Sequence, residues 1–379
     1  MRLKSNDKQI ISCSKCILDS IDDPKIIFDA EGICNHCNSY DKNIIKFYKG
    51  EERELSSFHN WISQVKREGE NSKYDVLIGL SGGVDSTFVA YLCWKHGVRA
   101  LAVHLDNGWN SELSVVNIKN ILKVTGFDLY TYVINWKEFR DLQRAYFRAH
   151  VVDIEALTDH AIFSILEEIA EKNNIKYVFE GSSITTEGRL PSSWVHNKSD
   201  SINIRSIHKK FGEMPMKTFP IKNVWKKMLL KPKVTSISIL DCYPYDKFEA
   251  KKLIVKKFQW RDYGGKHYES IFTRFYQAYI LPNKFGIDKR KSHYSTLICA
   301  GQLTKKEALK MIKMPTYSDK KNEKSDLEFV TKKLGFTHEE FDNYINSPRI
   351  EHNYYYSVEN YLKIPRKIYR HIKTLRKID

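Results

Sequence analysis

The sequence predicts an α/β protein with a doubly wound parallel sheet, a small cysteine-rich N-terminal segment and a helical C-terminal region. The first observation is the apolar run at residues 74–80, which is bounded by polar residues and is typical of a buried strand. The second is a series of further short apolar runs that alternate with helical patterns, as in parallel α/β sheets. The third is a Gly-Gly turn that joins the first strand to a helix.

This turn, residues 81–86 with the sequence SGGVDS, has the properties of a phosphate-binding loop. Gly82 and Gly83 can adopt positive φ and leave no side chain between a ligand and the backbone. The helix predicted over residues 87–96, which Gly97 is placed to end, would point its N-terminal N–H groups at an anion. The predicted phosphate ligands are Ser81, Gly82, Gly83, Val84, Asp85 and Ser86.

The turn resembles the PP-loop of ATP pyrophosphatases, written S-G-G-x-D-S, and lacks the Walker A spacing. That family cuts ATP between the α- and β-phosphates and forms an adenylated intermediate. The resemblance implies ATP and Mg²⁺ as cofactors. An ordinary Gly-Gly turn is the alternative, which six matching residues at a strand-to-helix junction disfavour.

Length and charge restrict the class of protein. A chain of 379 residues can hold more than one domain, and 62 Lys and Arg against 46 Asp and Glu give a net charge of +16. Such a charge attracts nucleic acid, anionic membranes or phosphorylated substrates, although a lysine-rich surface is an equal alternative. No apolar run has the length of a membrane span and no signal peptide is visible, so we expect a cytoplasmic protein.

Two C-x-x-C pairs near the N-terminus predict a metal site. The spacing between the pairs fits a four-cysteine zinc site, and four thiolates fill the tetrahedral coordination of a structural zinc. A redox role is weaker, because a thioredoxin-like βαβ context is missing. His36 could replace one thiolate as a ligand. The predicted zinc ligands are Cys13, Cys16, Cys34 and Cys37.

Polar residues follow the next predicted strands. Asp106 and Asn107 end a strand at residues 100–105, where they could contact ribose, adenine or magnesium, or form a plain turn. Gly181 follows a strand at residues 175–179, and Glu180 and Glu187 could contact magnesium or substrate. The remaining predicted elements are helices over residues 41–69, 112–125 and 137–173 and strands over residues 129–133 and 234–240.

A basic and aromatic stretch follows at residues 263–293. Five fixed cations lie between Arg274 and Lys291, and arginine forks suit phosphate or carboxylate while aromatic rings stack on sugar or base. A solvent-facing basic loop is the alternative, and composition alone does not decide between them.

Several motifs in order make a family resemblance specific. They are the cysteine pairs with the run FDAEGICNHC at residues 28–37, the SGGVDS loop, and the run KFGIDKRK at residues 284–291. Residues 301–304 then open a predicted helix with Glu307 as a capping-box partner. Over roughly residues 10–345 the chain resembles the N-acetyl sugar amidotransferase family of bacterial O-antigen and surface-polysaccharide biosynthesis.

The resemblance implies an enzyme that turns the acetamido group of a nucleotide-activated sugar into an acetamidino group. Ammonia would come from a separate glutaminase resembling the histidine-biosynthesis subunit, often beside a cyclase-like subunit, with no nucleic acid partner. The implied catalytic residues are Asp85, Lys289 and Arg290. The implied ATP contacts extend from the loop to Asp106 and Gly181. The implied substrate contacts are Arg274, Lys284, Lys289 and Arg290.

We predict three domains: a zinc knuckle at residues 1–50, a PP-loop domain at 51–240, and a mostly helical region at 241–379 that binds substrate or partner. One alternative is a tRNA-modifying sulfur-transfer enzyme, against which Cys93, Cys242 and Cys299 form no close sequence pair. Another is a zinc-dependent RNA-binding module without catalysis, which does not explain the PP-loop.

Overall fold

A computed structural model describes residues 10–47, 51–188, 190–230, 232–265, 268–317 and 319–362. In these residues a five-stranded parallel sheet has the order β3-β2-β1-β4-β5. The strands are β1 (Val76–Gly79), β2 (Ala100–Asp106), β3 (Asp128–Val133), β4 (Tyr177–Glu180) and β5 (Thr235–Ser238). The predicted parallel sheet is therefore confirmed.

The order of the strands places a crevice beside β1. Strands β2 and β3 lie on one side of β1. After β3 the chain crosses to the other side of β1, where β4 and β5 lie. In register, Leu77 of β1 lies beside Leu101 of β2 and Val178 of β4. Ligands of open α/β sheets bind at the carboxyl ends of the strands where this reversal occurs. The Gly-Gly turn lies at that point.

Helices cover both faces of the sheet, because alternate residues of its strands point to opposite sides. Leu77 and Val103 belong to one hydrophobic core, and Val76 and Ile78 belong to the other. The helices before β5 are α1 (Asn35–Phe47), α2 (Glu51–Gly69), α3 (Val84–Lys95), α4 (Glu112–Thr125), α5 (Trp136–Arg148), α6 (Ala156–Lys172), α7 (Ile184–Glu187), α8 (Ser201–Phe211) and α9 (Val224–Leu229).

The C-terminal region is helical as predicted and packs on the same cores. Ile254 and Phe258 belong to the same hydrophobic core as Val76 of β1. The predicted domain boundaries at residues 50 and 240 stay predictions. Residues 363–379, in the predicted C-terminal helical segment, lie outside the described residues. The helices are α10 (Lys247–Phe258), α11 (Ile271–Phe275), α12 (Leu281–Phe285), α13 (Lys289–Cys299), α14 (Lys305–Ile312), α15 (Lys320–Leu334) and α16 (His338–Asn346).

Two predicted elements differ from the structure. The helical stretch predicted over residues 137–173 is interrupted, because α5 and α6 are separated by residues 149–155, where His150 has φ of 52°. Val151 and Ile154 of this connection are buried. The connection therefore packs into the core without forming a continuous helix. The strand predicted at 234–240 is β5 followed by a 3₁₀ turn (Ile239–Cys242).

No helix within the described ranges is both long enough and apolar enough to cross a membrane.

Candidate active site

The Gly-Gly turn forms the N-terminus of α3. Gly82 has φ of 81°, and a Cβ atom there would lie 2.8 Å from the carbonyl oxygen of Ser114. Gly83 is the N-cap of α3 in an extended conformation with φ of −72°. Of the two glycines, Gly82 alone therefore uses positive φ, and Gly97 ends the helix with φ of 63° as predicted.

Two glycines keep the space at the helix N-terminus open. A Cβ on Gly83 would lie 3.1 Å from Ser81 Oγ and 3.2 Å from the Tyr263 hydroxyl. A Cβ on Gly181, which follows β4, would lie 3.0 Å from the backbone nitrogen of Ser86. Since both contacts are closer than side chains normally make, only glycine lets an anion approach this backbone.

The hydroxyl groups of the loop are already arranged. Ser81 Oγ lies 3.1 Å from Ser86 Oγ and accepts a hydrogen bond from the Gly83 backbone N–H at 3.2 Å. The loop therefore holds its hydroxyls at the N-terminus of α3, as the phosphate-binding prediction requires.

Side chains of the C-terminal region contact the loop directly. The Tyr245 hydroxyl donates to Asp85 Oδ1, and Trp260 Nε1 donates to the Gly82 carbonyl oxygen at 2.8 Å. Burial and the nearby Asp85 carboxylate raise the pKa of Tyr245, so this phenol remains a hydrogen-bond donor. Asp85 is thus held at the start of α3 by a neutral partner.

A cavity of about 760 Å³ extends from this loop to α13. Such a volume suits a nucleotide-sized ligand. The loop side is formed by Ser81, Gly83, Val84, Asp85, Ser86, Gly181 and Ser182. The opposite side combines cations and aromatic rings, including Arg274, Lys289, Arg290, His293, Tyr268, Tyr294 and Tyr317.

Carboxylates orient the two arginines of the cavity. Arg274 donates from Nε and Nη2 to the two oxygens of Asp326, each at 2.7 Å. Arg290 pairs with Asp288 at 2.7 Å and donates to the Met314 carbonyl at 2.8 Å. A bidentate pair fixes the plane of a guanidinium. Both arginines, two of the four predicted substrate ligands, therefore line the cavity in fixed orientations.

Lys289 lines the cationic side of the cavity and lies near the carboxyl groups of Glu155 and Asp159. Burial and, to a lesser degree, Lys198 lower the pKa of Lys289. Glu155, which the sequence analysis missed, accepts a hydrogen bond from Thr273 Oγ1 at 2.8 Å. Burial and the Asp159 carboxylate raise the pKa of Glu155 to about 7. No sequence motif marks Glu155, because its position depends on contacts across the fold.

A π-helical turn (Tyr276–Ile280) follows α11 and shapes this part of the cavity. Arg274 and Gln277 line the cavity, whereas Phe275 and Ile280 are buried in the core. Such turns occur frequently at functional sites.

Two predicted site residues lie elsewhere. Lys284 does not line the cavity, and its Nζ donates to the carbonyl oxygens of Tyr344 and, at 2.7 Å, Ser347 at the end of α16. Burial lowers its pKa to about 8. Asp106 also lies outside the lining, where it accepts from the Gly108 N–H at 2.9 Å. The geometry does not favour Lys284 as a substrate ligand or Asp106 as an ATP contact.

Other cavity residues were not assigned from the sequence. Glu269 Oε1 accepts a hydrogen bond from Ser81 Oγ at 3.3 Å, and Tyr263 lies beside Gly83. Both belong to the basic and aromatic stretch at residues 263–293. Ser81 and Glu269 are 188 positions apart in the chain, so tertiary structure brings them together.

Three carboxylates could serve a magnesium ion. Asp85, Glu187 and Glu269 all line the cavity. Magnesium is commonly bound by one or two carboxylates together with substrate phosphates, so this donor set fits the ion. Glu180, the other predicted contact, lies at the end of β4 and accepts from Ser182 Oγ at 3.3 Å.

The four N-terminal cysteines come together as predicted. Their sulfurs all lie within 4.8 Å of one another, and all four side chains are buried. Cys13 and Cys37 sulfurs are 3.6 Å apart, and those of Cys16 and Cys34 are 3.8 Å apart. Zinc–sulfur bonds of about 2.3 Å in a tetrahedron separate sulfurs by about 3.8 Å. The donor set therefore fits zinc, and His36 pairs instead with Asp23 at 2.8 Å.

Two family models match the chain. Residues 54–156, which contain the Gly-Gly loop, match the NAD synthase family. Residues 269–369, which contain Arg274, Lys289 and Arg290, match the C-terminal domain of WbpG-like LPS biosynthesis proteins.

Curated relatives match over shorter stretches. A GMP synthase (glutamine-hydrolysing) from Pyrobaculum aerophilum is 32% identical over 110 residues, which is 28% of this chain and 21% of the relative. A tRNA(Ile)-lysidine synthase from Chlamydia pneumoniae is 38% identical over 72 residues, which is 18% of this chain and 22% of the relative. The chain spans about a fifth of the length of the curated relatives that it matches.

Solved structures are also similar to parts of the chain. An NH3-dependent NAD synthetase from Campylobacter jejuni in complex with nitrate has 15% identity and a TM-score of 0.30, covering 41% of this chain and 72% of that chain. An NMN synthetase from Francisella tularensis has 16% identity and a TM-score of 0.30, covering 60% of this chain and 92% of that chain.

The parallel sheet, the SGGVDS loop at its crevice and the NAD synthase match define a PP-loop protein of the synthetase-like class. In this chain, a region that matches the NAD synthase family is followed by a region that matches the C-terminal domain of WbpG-like LPS biosynthesis proteins.

Proposed function

We propose that the protein is an ATP-dependent amidotransferase, acting in the cytoplasm, that converts an acetamido group of a nucleotide-activated sugar to an acetamidino group for O-antigen or surface-glycan biosynthesis. One observation carries the proposal. A single cavity joins the PP-loop to a cationic and aromatic side that belongs to the WbpG-like region. The cavity can therefore bring the α-phosphate of ATP to a second, anionic ligand.

The reaction needs activation because an amide oxygen is a poor leaving group. Attack of the acetamido oxygen on the α-phosphorus forms an O–P bond and releases pyrophosphate, which gives an adenylated imidate. Ammonia then attacks the imidate carbon, and the C–O bond breaks to release AMP. The oxygen of the acetamido group leaves on AMP, and the nitrogen of ammonia takes its place. ATP would yield AMP and pyrophosphate, never ADP.

The loop would hold the departing pyrophosphate. Ser81, Ser86 and the first residues of α3 line the cavity, where an anion gains from the helix dipole. Asp85, Glu187 and Glu269 would hold magnesium, which offsets the negative charge of the polyphosphate when bound. Asp85 keeps its place through the hydrogen bond from Tyr245.

The opposite side would bind the sugar nucleotide. Arg274 and Arg290 are held by carboxylates, so each presents its remaining surface in one orientation to a phosphate or carboxylate. Lys289 is half-buried in the cavity, and its lowered pKa makes it the best-placed group to exchange a proton when ammonia attacks. Tyr268 and Tyr294 offer ring faces for a base or sugar.

We further propose a structural zinc held by Cys13, Cys16, Cys34 and Cys37, and ammonia supplied by a glutaminase resembling the histidine-biosynthesis subunit, alone or together with a cyclase-like subunit. The four-thiol geometry supports the zinc. The glutaminase rests on the family resemblance alone.

The test is a reaction without the partner. An ammonium salt at high pH supplies free NH3, so the protein with ATP and an acetamido sugar nucleotide should give a cationic product that has lost oxygen and gained NH. Mass spectrometry of the sugar product reads the exchange directly. Consumption of ATP without any change in a panel of acetamido sugar nucleotides would contradict the proposal.

A further inference from the structure

The cysteine knuckle (residues 12–37) lies directly against α13, the helix that carries much of the ligand side of the cavity. Lys289, Arg290, His293, Tyr294 and Leu297 of this helix line the cavity. Lys291, Ser295 and Cys299 contact the knuckle. Side chains four positions apart share one face of a helix, so α13 presents one face to the cavity and another to the knuckle.

Three contacts join the knuckle to α13 along its length. Lys291 Nζ lies 2.8 Å from carboxylate oxygens of both Asp19 and Asp22, and Asp22 is buried. In the middle of the helix, Ser295 Oγ accepts a hydrogen bond from the Ile17 N–H at 3.4 Å. The contacts therefore begin one residue after Arg290 and continue toward the helix C-terminus.

The last contact reaches the cysteine cluster itself. The thiol of Cys299, at the C-terminal end of α13, donates to the sulfur of Cys37 at 3.9 Å. A zinc-bound thiolate would be a good acceptor for this donor, since it carries negative charge. The position of Cys37, and hence of the helix end, would then depend on the metal.

Helix α14 likewise contacts both the knuckle and the cavity. Lys305 at the start of α14 donates to the carbonyl oxygens of Cys13, at 2.6 Å, and Ser14, at 3.1 Å. Met311 of α14 also lines the cavity. The knuckle thus supports two helices of the ligand side, whereas the PP-loop is hydrogen-bonded to Tyr245, Trp260 and Glu269.

We propose that the metal-loaded knuckle is a positioning element for α13, so that zinc and Lys291 control binding on the Lys289 and Arg290 side of the cavity and leave ATP binding at the PP-loop unchanged. Lys291 is a positioning residue, because it does not line the cavity and acts through the helix. The positioning claim holds for whichever ligand this side takes, and its catalytic consequence rests on the proposed amidotransferase function.

Lys291→Met tests the proposal in the full-length protein, since methionine keeps the length of the side chain and removes its charge. Lys291→Arg is the conservative rescue, and Lys310→Met, at an exposed position on α14, is the matched control. Hydrogen–deuterium exchange of peptides covering α13 and α3 is measured together with the zinc content and with ATP affinity.

The expected result is faster exchange in α13 of Lys291→Met, by about tenfold, with α3, zinc content and ATP affinity as in the wild type. Lys291→Arg and Lys310→Met should behave as the wild type. Unchanged exchange in α13 would overturn the proposal. Faster exchange throughout the chain would also overturn it, because the knuckle would then be a general folding element.

Steady-state kinetics distinguish positioning of the ligand side from a purely structural role, because only positioning changes the KM of one substrate and not of the other. With ammonium and an active acetamido sugar nucleotide, Lys291→Met should raise the KM for the sugar nucleotide about tenfold and leave the KM for ATP unchanged. An equal rise in both KM values would contradict specific positioning. Because the exchange measurement needs no sugar substrate, failure of the proposed function and failure of this inference are distinguishable.

Discussion

At the scale of single residues, the PP-loop depends on the absence of side chains. Gly181 follows β4 whereas the loop follows β1, yet a Cβ at Gly181 would lie 3.0 Å from Ser86 N and 3.2 Å from the carbonyl carbon of Asp85. Both neighbours are backbone atoms at the start of α3, which cannot rotate away. The crevice between β1 and β4 therefore needs glycine on both sides.

Gly181→Ala should weaken ATP binding at least about tenfold, or ~1.4 kcal/mol, because the methyl group displaces the N–H groups that hold phosphate. Gly83→Val should abolish ATP cleavage by filling the space of the phosphate directly. Isothermal titration with ATP, with thermal unfolding as the control for folding, measures the first effect. Wild-type affinity in Gly181→Ala would contradict the position assigned to the phosphates.

Glu155 provides a pH test. Its pKa is raised from 4.5 to about 7, so the folded state holds a proton that the unfolded state releases. The stabilisation is complete below the unfolded pKa and is lost as the pH rises through about 7. Relative to wild type, Glu155→Gln should therefore gain stability between pH 5 and pH 8, by no more than about 3 kcal/mol. Denaturant unfolding at the two pH values checks this, and parallel pH profiles would refute it.

At the scale of elements, local signals predict those parts of the fold that local interactions form. Helix α4 has the predicted bounds of 112–125, with Ser111 capping its start and Gly126 in the left-handed region at its end. The capping box of Thr304 and Glu307 at the start of α14 is likewise present. These features depend on neighbours in sequence, so the sequence suffices to find them.

Other elements depend on distant contacts, and the sequence does not reveal them. The connection between α5 and α6 contains apolar residues that are buried in the core. Its apolar pattern therefore continues that of the helices on either side, and the sequence does not reveal where the helix is interrupted. Lys284 resembles the other cations of its segment, but its carbonyl partners at Tyr344 and Ser347 come some 60 positions later. The PP-loop and the cysteines were predictable because each is a fixed short motif, whereas Glu155 and Glu269 carry none.

The cysteine knuckle has its own prediction. Purified protein should carry one zinc per chain, and Cys34→Ser should lose the metal and destabilise the fold by more than about 3 kcal/mol, since metal binding supplies folding free energy. Elemental analysis and thermal unfolding measure both quantities. Cys93→Ser, at a buried cysteine outside the cluster, is the control and should keep its zinc. Iron, or no metal, in the wild type would contradict the zinc assignment.

At the scale of the whole molecule, the net charge of +16 invites a second interpretation, in which the protein binds RNA. Several of the cations are already paired within the fold, including Arg274, Arg290 and Lys291. The charge alone therefore does not decide the ligand.

A salt titration separates the two ligands. Affinity for a sugar nucleotide should fall gently with salt, because few phosphates are neutralised, whereas binding to RNA falls steeply through counterion release. Fluorescence anisotropy with labelled tRNA and with a labelled acetamido sugar nucleotide gives both slopes. Tight, salt-sensitive binding of tRNA that also stimulates AMP release, without any effect of a sugar, would favour RNA modification.

The central claim is that ATP activates the acetamido oxygen, and the fate of that oxygen tests it most directly. An acetamido sugar nucleotide labelled with heavy oxygen in the acetyl carbonyl is incubated with the protein, ATP and ammonium, and the nucleotide products are analysed by mass spectrometry. Transfer through an adenylated imidate predicts AMP that carries the heavy oxygen, in an amount equal to the amidine formed. Unlabelled AMP, or ADP as the product, would contradict the account.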